Sequence, residues 1–180
     1  MNAFEFVFSL FGLVLGLSVT ELLAGFSRAV RRRGKIRLGW LTPLLGVILL
    51  LDLLTFWLHA WEMRAQIPMS FGSLIFGTAI AGIYYLSASL VFPEDFGEWD
   101  DLDDYFMSIK KLVMLGVTAA NWLMTAGIAT LTGSPFNSVL NVAIPIGFTT
   151  LAILVALLKS RRWSVALAWV IFAAYLARLL

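Results

Sequence analysis

The chain contains no cysteine and one histidine, His59. The first absence excludes disulfides, thiolate zinc sites and cysteine nucleophiles. The second leaves His59-x-x-Glu62, which has ligand spacing, without the further histidine or thiolate that would complete a metal site. No metal or other cofactor is expected. No P-loop, Gly-x-Ser-x-Gly or His-Glu-x-x-His pattern occurs. With one histidine, a serine hydrolase would need Ser73 or Ser134 to meet His59 by tertiary arrangement alone, so enzyme activity is not expected either. Charge is scarce as well: 13 Lys and Arg with 11 Asp and Glu make 13% of 180 residues, against 61% hydrophobic. A soluble domain carries roughly 25% charged and 45–50% apolar residues, so the composition points to lipid as the main solvent.

What is present in abundance is long apolar runs. Stretches of about twenty residues, enough to cross a core of roughly 30 Å, occur at about 4–27, 40–61, 71–92, 110–131, 137–158 and 163–179. The expectation is an all-α membrane protein, one domain over 1–180, built as a bundle of six transmembrane helices. The beginning of the chain lacks a basic n-region, and the run from Phe4 is too long for a signal-peptide core, so the first helix is expected to be retained. Trp40, Trp61, Trp99 and Trp163 fall near the ends of runs, where interfacial aromatics belong.

The few charges orient the chain. Arg28, Arg31, Arg32, Arg33, Lys35 and Arg37 follow the first run, Lys110 and Lys111 open the fourth, and Lys159, Arg161 and Arg162 separate the last two. With these connections on the cytoplasmic side of the inner membrane, 11 of the 13 basic residues are inside and both termini face out. The net charge of +2 and pI near 9.2 then follow from topology, and no nucleic-acid surface is expected. The expected partners are the lipid bilayer and either further copies of the chain, as a homo-oligomer, or partner membrane subunits.

Small residues recur at helix-packing spacing: Gly12 and Gly16 in the first run, Ser73, Gly77 and Ala81 in the third, Gly116 and Ala120 in the fourth. Spacing by four places each set on one stripe, where helices in lipid approach closely. An internal similarity also aligns GLSVTELLAG from Gly16 with GVTAANWLMT from Gly116. It extends to Tyr85-Leu86 against Tyr175-Leu176 and to Pro43 against Pro145. Three helices per half would make this a 3+3 inverted repeat, a transporter layout.

Against that apolar background the polar residues stand out. At about 100° per residue, Asp52, Thr55, His59 and Glu62 share an arc of roughly 80° on the second helix, with Trp57 and Trp61 on the other side. Asp52 lies about 18 Å along the helix from Trp40, near the bilayer centre. An ionised aspartate at that depth costs roughly 2.5–3.5 kcal/mol, so it must face protein or water, or be protonated. Two readings of the stripe stay open: polar glue between helices, or a titratable path for protons or small cations. On the first helix Ser18 and Glu21 share a face with Gly25 and Arg28. They are read either as a salt bridge to the basic turn or as a cytoplasmic gate handing cations toward Asp52, with Asn121 as a further deep contact.

The acidic segment 93–109 is the one long connection. Its Asp-Asp-Leu-Asp-Asp at 100–104 fits a diphosphate-and-magnesium pattern, but a second acidic motif is missing. Asp100 to Asp104 are therefore expected to cap the helix that continues into the fourth run. The leading functional expectation is a small channel or transporter moving protons or small cations past Asp52 and His59. The alternative is a noncatalytic structural or assembly subunit of a larger membrane complex.

Overall fold

The computed structural model describes residues 3–68, 70–133 and 139–177. They form six helices: α1 (Ala3–Arg32), α2 (Leu41–Glu62), α3 (Phe71–Ser89), α4 (Leu102–Thr132), α5 (Val139–Leu157) and α6 (Arg161–Ala177), with a 3₁₀ turn at Phe96–Glu98. Four of them, α1 to α4, are long and apolar enough to cross a membrane; α5 carries a shorter apolar helix, Val142–Leu157. α1 lies along α3, α3 along α4 and α4 along α5, while α2 packs on α6. Leu15 and Leu22 of α1, Leu45, Leu49 and Leu53 of α2, Ala81 and Tyr84 of α3, and Phe106 and Val113 of α4 form the centre of the core.

The acidic segment is a clasp. The connections α1–α2, α3–α4 and α5–α6 meet at one end of the bundle, and Asp101, Asp103 and Asp104 tie them together. Asp101 caps its own helix by accepting the Asp103 N–H at 2.8 Å. Asp103 caps a different helix: it is buried and accepts the Leu41 N–H, the first of α2, at 2.9 Å. This supplies what α2 lacks, since Trp40 at its N-cap position makes no side-chain cap. The Thr42 hydroxyl donates to the Leu102 carbonyl at 2.6 Å, and Arg37 and Asp101 form an isolated parallel bridge through the Arg37 N–H to the Asp100 carbonyl and the Leu102 N–H to the Arg37 carbonyl, both 2.9 Å. Gly39 makes the close approach possible. Its φ of +60° suits glycine, and a Cβ there would stand well inside contact distance of the Asp103 carboxylate.

Arg161, the first residue of α6, donates to Asp101 at 3.0 Å and to Asp104. The hydrogen bond to Asp101, above all, raises the pKa of that guanidinium further. Lys110, buried in α4, donates to the Leu158 carbonyl just past the end of α5, where a cation also suits the helix dipole. The expectation that Asp100 to Asp104 serve only the helix they begin is thus too narrow. Propensity and capping rules see the local helix; the cap on α2 spans 62 positions of sequence.

The small-residue stripes divide. Gly77 meets the Phe11 ring of α1, with a Cβ there at 3.1 Å, Gly116 faces the Ser87 hydroxyl of α3, and Ala81 and Ala120 are wholly buried, so these four do mark helix contacts. Ser73 does not. It completes the α3 cap, donating its N–H to the Ser70 hydroxyl at 3.1 Å. Gly12 makes ordinary contact with Trp57 at 3.5 Å, and a Cβ on Gly16 would meet nothing within 4 Å. The close approach on α1 is instead at Gly25, where a Cβ would enter the Phe92 ring. Four-residue spacing finds a stripe but not the side chain that fills it, and Phe92 lies beyond α3 in a connection with no helical period to read.

These contacts separate the two glycines by experiment. Gly25→Leu is expected to destabilise the detergent-solubilised protein by about 1–3 kcal/mol through overpacking against Phe92, read as a lower melting temperature. Gly16→Leu should leave the melt within about 0.5 kcal/mol of wild type. An unchanged melt for Gly25→Leu would remove the Phe92 contact as a constraint.

Candidate functional site

The α2 stripe is real and faces a cleft. Asp52, Thr55, His59 and Glu62, at i, i+3, i+7 and i+10, line a cavity of about 570 Å³ between α2, α4, α5 and α6, together with Asn121. α1 covers the other side of α2, where Phe8 stacks edge-on against Trp57 with centroids 5.0 Å apart. The cleft runs from Asp52 past His59 to Glu62 and Met63 at the end of α2. Toward the opposite end of α2, Leu41, Leu44, Leu45, Ile48 and Leu49 are all buried.

Asp52 closes the inner end and is itself 2% exposed. Three other helices donate to its carboxylate. Tyr84 of α3 donates its hydroxyl to Oδ2 at 2.8 Å. Asn121 of α4 donates Nδ2 to Oδ2 at 3.0 Å and to Oδ1 at 3.3 Å, and Tyr175 of α6 donates its hydroxyl to Oδ1. The same Asn121 nitrogen also donates to the Val117 carbonyl at 3.0 Å, which fixes the amide's orientation. Each donor is neutral, and each points at an oxygen, an arrangement that favours the charged carboxylate by hydrogen bonding while burial disfavours it.

Further along, His59 Nδ1 lies 2.8 Å from the Thr55 carbonyl. A carbonyl can only accept, so Nδ1 carries the proton, and in the neutral ring Nε2 is left as an acceptor. Thr55 satisfies its own hydroxyl on the Leu51 carbonyl at 2.8 Å. Asp52 and His59 are separated by roughly 10 Å along the helix, so any transfer between them runs through water or a bound molecule. The outer wall is supplied by α5. Its Thr149 hydroxyl accepts from the Trp122 indole at 2.9 Å, and its Pro145 lines the cleft, removing one helical N–H from that wall.

Two expected members are elsewhere. Ser18 is wholly buried in α1 and donates to the Val14 carbonyl at 3.0 Å; Glu21 pairs with Arg28 one face along at 3.1 Å. Neither lines the cleft. The reason is packing: α1 lies along α3 and the Trp57 side of α2, so its polar face cannot reach the stripe. Ser18 and Glu21 thus stand apart from the cleft, and Glu21 is paired with Arg28. Among the described residues no three carboxylates or imidazoles gather as metal ligands.

Sequence reasoning missed Tyr84, Tyr175 and Trp122 as site residues. A signal existed. A tyrosine inside an apolar helix needs a hydrogen-bond partner when buried, and a lone membrane carboxylate needs donors. The internal similarity did single out Tyr175 but set it against Tyr85, which is partly exposed; the tyrosine that shares Asp52 with it is Tyr84, one residue away.

No family model, no curated protein and no solved structure matches the chain, so the geometry alone carries the functional argument.

The two tyrosines should differ in stability. Tyr84 is 1% exposed, and Tyr84→Phe removes a donor that water cannot replace, at a cost of about 1–3 kcal/mol. Tyr175 borders the cleft, where water can take over its hydrogen bond, so Tyr175→Phe should lower the melting temperature less. The opposite order would mean that the cleft is dry at Asp52.

Proposed function

We propose that the protein is a small membrane transporter or channel in which all six helices cross the bilayer and protons or small cations move along Asp52, Thr55, His59 and Glu62. One observation carries this: the stripe lines a cavity that ends on the most deeply placed carboxylate of the chain. A stripe serving only as glue would face packed neighbours along its whole length. Because the other half of α2 is buried in the core, the arrangement fits a carrier with one side open better than a continuous pore.

The crossing of α5 and α6 is argued from length and charge. With 19 and 17 residues they reach roughly 28 and 25 Å at 1.5 Å per residue. The shorter one is accommodated by modest local thinning and by snorkelling of Arg161 and Arg162. The clasp favours this topology as well, since it gathers all three odd-to-even connections at one end, as alternating helices require.

A second reading has its own support. Asp52 joins α2 to α3, α4 and α6, which is what a purely structural carboxylate in an assembly subunit would do. Flux separates the two. In proteoliposomes the wild type is expected to pass protons or monovalent cations, Asp52→Asn to lose at least about 90% of that flux, and His59→Gln to reduce it because the amide does not exchange protons. No wild-type flux under any gradient or potential would leave the subunit reading.

Topology has a separate test. Accessibility labelling in whole cells and inverted vesicles should find both termini and residues 64–70 outside, with 28–38, 94–109 and 159–162 inside. Labelling of the N-terminus from the cytoplasm would reverse the side from which the cleft opens.

A further inference from the structure

We infer that the cleft binds an organic ammonium ion, a protonated amine carrying an aromatic or aliphatic body, with the ammonium seated on Asp52. This rests on the cation-handling reading above and names the class of cation. Size is the first argument. A proton or a hydrated monovalent ion needs little more than the roughly 30 Å³ share of one or a few waters, whereas about 570 Å³ falls in the range of small-molecule sites.

The walls are the second argument. A bare metal cation requires several oxygen ligands around one point, and near Asp52 the cleft offers instead the rings of Phe56, Phe148 and Tyr175 with the side chain of Ile171. Phe148 stands edge-on to Tyr175 with centroids 6.4 Å apart, and Phe56 is tilted against Tyr84 at 5.4 Å, so each tyrosine that donates to the carboxylate packs on a phenylalanine that lines the cleft. Ring faces attract an organic cation and its apolar body alike.

The carboxylate is built to accept such a group without collapsing. Tyr84 holds Oδ2 from the core side, and Asn121, which lines the cavity, donates to Oδ2 and at longer range to Oδ1. Tyr175 holds Oδ1 from α6 and borders the cavity. An ammonium N–H takes its place on Oδ1 beside or instead of the Tyr175 hydroxyl, while the other two donors keep the carboxylate fixed. At the outer end Glu62 is exposed and draws cations to the mouth, and His59 Nε2 offers an acceptor on the way in.

The test uses the full chain in lipid nanodiscs and three probes in calorimetric titrations: 2-phenylethylamine, its neutral counterpart 2-phenylethanol, and sodium chloride. The amine should bind saturably and at least about tenfold more tightly than the alcohol, and sodium chloride should not compete at equal concentration. Asp52→Asn should weaken the amine at least about tenfold and leave the alcohol unchanged. Ala143→Trp, which adds bulk to the cleft from α5, the wall that carries none of the donors Tyr84, Asn121 and Tyr175, should weaken the amine and keeps the test valid if Asp52→Asn unfolds. Equal affinity for amine and alcohol, no saturable amine binding, or unchanged amine affinity in both variants would overturn the inference. Proton flux without amine binding would overturn it while leaving the transport reading intact; amine binding with no flux of any cation would overturn transport and leave the site.

Discussion

Placing one carboxylate deep in an apolar helix constrains everything around it. Asp52 requires donors that its own helix cannot supply, because every backbone N–H of α2 near it is already committed to the helical ladder. Tyr84, Asn121 and Tyr175 therefore come from three other helices and set the heights at which α3, α4 and α6 pass α2. Of the helices around the cleft, α5 alone contributes no donor to Asp52 among these bonds. It closes the space as a wall fastened at Thr149 and beside Leu158. The cavity lies between α2, α4, α5 and α6, on one side of the carboxylate at which α2, α3, α4 and α6 are joined.

The clasp is the second fixed level. Asp103, Asp101 and Arg161 bind the opposite end of α2 to α4 and α6, about 16 Å from Asp52 by helical rise. Between the two levels the bundle is packed with Leu45, Ile48, Leu49 and their partners; beyond Asp52 it opens. Polar chemistry thus sits at the two ends of an apolar plug, and the open side follows from where the plug stops. The two layers tie α2 to α3, α4 and α6 at two heights along the bundle.

How much of this was legible in the sequence depended on distance along the chain. The six helices followed from run length and from Gly, Pro and Asp punctuation. The α2 stripe followed from the 3.6-residue period, because Asp52, Thr55, His59 and Glu62 lie within eleven positions of one another on one element. What failed needed contacts between elements. The Gly12/Gly16 stripe was legible as a stripe, yet only the fold shows Gly16 facing no side chain of its own chain and Gly25 pressed on Phe92. Ser18 and Glu21 read from the sequence as either a salt bridge to the basic turn or a gate toward Asp52; the packing of α1 on α3 separates them from the cleft. Gly39 gave no period or motif at all, since its necessity comes from Asp103, 64 residues later.

A simpler rule sorts the polar residues after the fact and could have been applied before it. A serine or threonine hydroxyl inside a helix can donate to the carbonyl one turn back, and many of them do: Ser18 to Val14, Thr20 to Gly16, Thr55 to Leu51, Ser87 to Ile83, Thr125 to Asn121, Thr150 to Ile146. Such groups are locally satisfied and exert no pull on other helices. Asp52, Tyr84, Asn121, Trp122, Lys110 and Tyr175 each carry a group that a helix backbone cannot fully satisfy: a carboxylate has no free N–H to accept from, and a phenol, indole or ammonium reaches past its own turn. Every one of these six bonds to another helix or to the connection beyond it. Thr42 confirms the logic from the other side. It stands in the first turn of α2, where the residue four positions back is outside the helix, and its hydroxyl donates across to α4 instead. Hydrogen bonds between helices in this apolar chain come mainly from polar groups whose own helix leaves them short, and Asp52, the group left furthest short, is where four helices meet.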